Sequence, residues 1–114
     1  MSETGQAMPE AALTAAATEN AAVARCCEAY DRTLNSAKVR GKGKIFATIE
    51  AGEAYRKALP PLCGLENIRD FIACIAHGVL IGAIGGADAA RLLYAAQVAQ
   101  TTIRNPPGRP RSAA

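Results

Sequence analysis

The apolar residues of this chain recur at three- and four-residue spacing in four stretches, separated by glycine and proline. No stretch alternates in the two-residue rhythm of a strand, and no internal repeat is visible. The first stretch follows Pro9, a residue suited to the first turn of a helix. Leu13, Ala17, Val23, Cys27, Tyr30 and Leu34 then fall on one face, with Asn20 interrupting the line. That spacing predicts one long amphipathic helix fading near residues 35–38, with Glu28 and Arg32 paired on its outer side. The glycines of RGKGK break the pattern. A second helix is expected over Ile45–Ala58, turning Ile45, Ile49, Gly52, Tyr55 and Leu59 to one side. Pro60 and Pro61 stop it, because proline cannot continue a helix.

The third helix is expected over Leu65–Ile84, with Ile68, Ile72, Ile75 and Val79 as its seam, Phe71 and Leu80 widening it, and Gly85-Gly86 ending it. Asp88 then opens a fourth helix, where a negative charge complements the helix dipole. Leu92, Ala96, Ala99 and Ile103 give that helix its inner stripe, and Arg104, Asn105 and Pro106 mark its end. The pattern therefore predicts an all-α protein: a small bundle of about four helices, with an αα-hairpin in the C-terminal half and flexible termini. A leader over residues 1–8, one helical domain over residues 9–105 and a disordered, basic, proline-rich tail over residues 106–114 complete the expected organisation.

Small residues add a second pattern. Cys74, Gly78, Gly82 and Gly86 recur every four residues, which on one continuous helix makes a smooth groove. An interior glycine costs about 0.5–1 kcal/mol relative to alanine, so such a helix must recover that cost through close packing. Ala95 and Ala99 on the fourth helix offer matching small surfaces. The expected use is contact between the third and fourth helices, with a homodimer seam as the alternative. The segment around these residues, LPPLCGLENIRDFIACIAHGVLIGAI followed by ARLLYAAQVAQ, resembles a group of small hypothetical proteins of Acidobacteria-type soil bacteria. The resemblance covers about residues 59–100. The group has no assigned activity, so the resemblance implies a bacterial origin and no function.

Composition fits close-packed helices. The chain has 114 residues, 50% hydrophobic and only 4% aromatic, without tryptophan. Alanine, the best helix former, dominates the apolar set. The opening residues lack the basic and apolar regions of an export signal, and four cysteines then read as reduced thiols in a cytoplasmic protein. Phe71 to Ala87 is uncharged but shorter than the ~20 apolar residues a bilayer span needs, and it contains His77 and several glycines. A buried helix is expected there, and membrane association is not.

Charge is sorted along the chain. Lys38, Arg40, Lys42 and Lys44 form one cluster free of acids, and Arg104, Arg109 and Arg111 form another. Of 13 basic residues seven lie in these clusters, leaving six against 10 acidic residues elsewhere. If residues 38–44 are extended, alternate side chains share one side at intervals of ~6–7 Å, a spacing suited to tracking phosphates. Gly108-Arg109-Pro110 resembles the core of the AT-hook, an arm that enters the minor groove of A·T-rich DNA, although Pro107 stands where a hook carries a basic residue. The expected reading is a non-catalytic accessory or regulatory protein that associates with nucleic acid through Lys38, Arg40, Lys42, Lys44, Arg109 and Arg111. The alternative is a homo-oligomeric helical interaction module whose basic segments are only solvated.

Other chemistry is thin. Cys74 and His77 share a helix face, but no CxxC pair is present and adjacent Cys26-Cys27 are poorly placed to chelate one ion, so no metal or cofactor is expected. A thiol in so apolar a helix is inert rather than nucleophilic. No phosphate-binding loop, dinucleotide fingerprint or zinc-protease motif occurs, and no enzymatic activity is expected. HGVLIGAIGGADAARLL has the outline of a helix-turn-helix, but its second helix offers only Arg91, Gln97, Gln100 and Arg104 for reading bases.

Overall fold

The computed structural model describes residues 20–104. Among them the chain forms four α-helices and no strand: α1 (Ala21–Val39), α2 (Lys44–Lys57), α3 (Leu65–Leu80) and α4 (Gly86–Arg104). Short turns join α1 to α2 and α3 to α4, so the helices pair as two αα-hairpins. The α1–α2 contact is the most extensive, followed by α3–α4, and α1 also packs on α3.

Asn20 explains where α1 begins. Its backbone is extended, and its side chain accepts hydrogen bonds from the N–H groups of Ala22 (2.9 Å) and Val23 (3.0 Å), as an N-cap does. The expected single helix from Pro9 therefore does not run through Asn20, the polar residue that interrupts its seam. Leu13 and Ala17, the expected seam residues that precede Asn20, lie outside the described residues. The Asn20 amide also donates to Asp70 at 3.3 Å, tying the start of α1 to α3.

Both interhelical turns end on the same device. At the end of α1, Gly41 has φ +82°, its N–H donates to Lys38 O, and the Lys42 N–H donates to Ala37 O, each at 3.0 Å. At the end of α3, Gly82 has φ +79°, its N–H donates to Val79 O at 3.1 Å, and the Ala83 N–H donates to Gly78 O at 2.8 Å. This is the Schellman pairing, in which a left-handed residue, here glycine, lets the last carbonyls find donors. It corrects the expected third helix, which ends at Leu80 instead of Ile84 because Gly82, not Gly85-Gly86, terminates it.

The core is built from small and medium side chains. Val23 and Cys26 of α1, Tyr55 of α2, Ile68, Phe71, Cys74 and Ile75 of α3, Ala83 and Ile84 of the turn, and Ala89 and Ala96 of α4 form one buried cluster. Leu92, Ala99 and Ile103 pack against its edge, so the expected inner stripe of α4 faces inward. On α2 the expectation holds for Gly52, Tyr55 and Leu59, which face the core, and fails at the start of the helix. Ala47, Ala51 and Gly52 are buried, whereas Ile45 and Ile49 are exposed. Alanines let α2 lie close to α1, and the bulkier isoleucines are left on the outer arc.

Candidate functional site

The basic segment is not a ribbon. Lys38 belongs to the last turn of α1, Arg40 and Gly41 form its cap, and Lys44 is the first residue of α2. The extended geometry expected for residues 38–44 is replaced by a helix end and a helix start, because Gly41 is used to terminate α1. Arg40 and Lys42 converge on Glu50 of α2, at 3.0 Å and 2.9 Å. Those hydrogen bonds, that of Lys42 foremost, hold the Glu50 carboxyl below the usual carboxylate range. Lys38 and Lys44 have no ion pair among the described residues. Arg109 and Arg111 lie outside the described residues.

Around these cations stands an apolar set that the charge pattern did not reveal. Val39, Ile45, Phe46 and Ile49 are all exposed at the α1–α2 turn. The start of α2 is also poorly matched to its dipole. Gly43 provides no side-chain cap, the first turn holds no acid, and Lys44 places a cation where an anion is favoured.

The expected small-residue groove is only half present. Cys74 and Gly78 are buried, but Gly82 and Gly86 lie beyond the end of α3, one in the turn and one opening α4, and both are exposed. Helix termination at Gly82 is what breaks the stripe. Ala95 faces solvent, while Ala99 packs against the core. Gly78 alone shows the close approach the pattern implied. A Cβ there would stand 2.7 Å from Ile84 Cδ1 and 2.8 Å from Tyr55 Cε1. The close contact is thus with α2 and the turn, not with α4.

Cys26 and Cys74 meet inside the core, both without exposure. In that pair the hydrogen bond to Cys26, followed by burial, pushes the Cys74 thiol up, while the hydrogen bond from Cys74 lowers Cys26 against the opposing effect of burial. Burial also pushes up Cys27 and, strongly, the phenol of Tyr55. Tyr55 donates its hydroxyl to Cys74 O at 2.6 Å. The four cysteines are free thiols, and Cys63 alone is exposed. In the helix-turn-helix outline, Arg91 is paired with Asp88 at 2.9 Å, which leaves Gln97 and Arg104 as the exposed, unpaired members of the four expected base-reading residues among the described residues, with Gln100 half-buried.

The outer surface of α4 has a different character. From Leu92 to Ile103 it carries no charge. Leu93, Tyr94, Gln97, Val98, Thr101 and Thr102 face outward along it. On α3, Leu65, Ile72, Val79 and Leu80 are exposed, with Arg69 as the one cation on that arc. No helix among the described residues is long and apolar enough to cross a membrane.

These features define the class: a small all-α protein whose two hairpins share one tight core and leave two apolar surfaces uncovered, one neutral and one interleaved with cations. Searches of protein-family models, of curated proteins and of solved structures found no significant match to this chain.

Proposed function

We propose that the protein is a helical interaction module that self-associates through the outer face of α4. The observation that carries this reading is the run from Leu92 to Ile103, where an exposed helical surface holds no charge and places Tyr94 and Val98 one turn apart. A solvated helix face ordinarily carries charged residues, whereas interface centres are depleted of them and enriched in aromatics. A core this poor in aromatic bulk also gains from burial against a second copy. Sedimentation velocity tests the reading. The wild-type chain is expected to sediment as a dimer or larger species. Tyr94→Asp with Val98→Asp is expected to give a monomer with unchanged helical content. A wild-type chain that stays monomeric at high concentration overturns it.

A second reading, association with nucleic acid through Lys38, Arg40, Lys42 and Lys44, is favoured by the exposure of all four cations at one turn. Four phosphate contacts on duplex DNA predict a log–log salt slope of about −3.6. The shared use of Glu50 by Arg40 and Lys42 weighs against so steep a value.

A further inference from the structure

The α1–α2 turn carries more than charge. Val39 is 86% exposed, Ile45 75%, Phe46 65% and Ile49 55%, which makes this turn the site of the most exposed aliphatic side chains among the described residues. Ile45, Phe46 and Ile49 occupy one arc at the start of α2, and Val39 ends α1 just across the turn. Lys38, Arg40, Lys42 and Lys44 are interleaved with them, and no acidic residue occurs between Asp31 and Glu50. Apolar exposure of this kind is unfavourable in water, and the missing cap and the cation at the start of α2 are unfavourable locally. Each is relieved by one kind of environment.

From this geometry we infer that the turn is a docking tip for an anionic phospholipid surface. The boundary of a bilayer offers acyl chains to Val39, Ile45, Phe46 and Ile49. Within a few ångströms it also offers phosphates to the lysines and to the uncapped N–H groups of α2. A nucleic acid supplies the phosphates but gives the four aliphatic and aromatic side chains nothing comparable. A neutral protein surface covers the apolar residues but leaves the cations unmatched. The tip needs no membrane-spanning helix, since a turn of this kind lies at the interface. Glu50 sets its strength. With the carboxylate ionised, Arg40 and Lys42 are drawn onto Glu50, and loss of that charge releases them to the surface.

Vesicle co-sedimentation of the full chain tests this. Three probes are used: vesicles containing phosphatidylglycerol, vesicles of phosphatidylcholine alone, and a DNA duplex. The wild-type chain is expected to partition onto the phosphatidylglycerol vesicles and not onto pure phosphatidylcholine. Ile45→Ser with Phe46→Ser replaces exposed side chains, so the fold is retained, and is expected to weaken partition about tenfold or more. Lys38→Glu with Lys44→Glu is expected to abolish it in moderate salt. Glu50→Gln is expected to strengthen it several-fold by freeing two cations. Absence of partition at low salt overturns the inference. Partition that is indifferent to Ile45→Ser with Phe46→Ser also overturns it, since charge alone would then be responsible. Tighter binding to the duplex than to vesicles, unchanged by that double substitution, overturns it in favour of a nucleic-acid partner. The double substitution is also expected to leave the sedimentation coefficient unchanged, which separates this tip from the α4 surface.

Discussion

Glycine plays two different parts at the scale of single residues. Gly41 and Gly82 are needed for their φ of +82° and +79°, and nothing lies within 4 Å of a Cβ built on either. Gly78 is needed for its missing side chain. Substitution should therefore separate the two parts. Gly41→Ala and Gly82→Ala are each expected to cost about 1 kcal/mol in urea unfolding, and Asn at either position about half that, because Asn tolerates the left-handed conformation. Gly78→Ala is expected to cost more, about 1–3 kcal/mol, with Asn there worse still, since the fault is overpacking. A larger cost for Asn than for Ala at Gly82 would show that space, not conformation, limits that position.

Buried titratable groups set the response to alkali at the same scale. Folding holds the Tyr55 phenol and the Cys74 thiol protonated above their ordinary range. Above the unfolded-state values of about 8.5 for Cys and 10 for Tyr, the unfolded chain has released protons that the folded chain keeps. The unfolded state is then favoured as pH rises, so stability falls from about pH 9 upward. Cys26, shifted the other way by the same hydrogen bond, offsets part of the thiol contribution. Tyr55→Phe is expected to flatten the fall between pH 10 and pH 11, as followed by thermal melts.

For whole elements, helix ends were harder to read than helix faces. The inner stripe of α4 and its last turn follow from spacing, because Leu92, Ala96, Ala99 and Ile103 fall at helical intervals with no polar residue among them. The start of α1 did not follow. Asn20 fits a helical seam as an interruption and fits an N-cap as a terminus, and only its extended backbone and two accepted hydrogen bonds distinguish these. Asn20→Ala is expected to cost about 1 kcal/mol and to increase amide exchange in the first turn of α1. Protection unchanged at Ala22 and Val23 would count against the cap. On α2 the spacing misled in a specific way. Ile45 and Ile49 form as regular a line as Ala47 and Ala51, and hydrophobicity alone selects the isoleucines. Close approach to α1 selects the alanines instead.

The whole molecule is held by the joint between its hairpins. Gly52 of α2 lies against the α3–α4 turn, where a Cβ would stand 3.0 Å from Ala83 O. Arg56 donates to the same carbonyl at 3.1 Å, and Tyr55 reaches Cys74 O on α3. Gly52→Ala is expected to force this joint apart and destabilise the protein by about 1–3 kcal/mol, lowering the melting temperature without lowering helical content below the transition. Unchanged melting would mean that α1, not α2, carries the contact between hairpins. Tight nesting at this joint also explains the exposed surfaces. Small residues face inward, so many of the large ones are left outside, on α4 and at the α1–α2 turn.

By itself the sequence determined the helical class, the helix-breaking turns, the sorted charge and the inner stripe of α4, because each depends on spacing or on the backbone chemistry of nearby residues. The tertiary structure decided which of two regular lines at the start of α2 is covered, that Gly82 ends a helix instead of lining one, and that Arg40 and Lys42 share Glu50. Those outcomes depend on how closely two helices approach and where a turn directs its side chains, distances that periodicity along one chain does not contain.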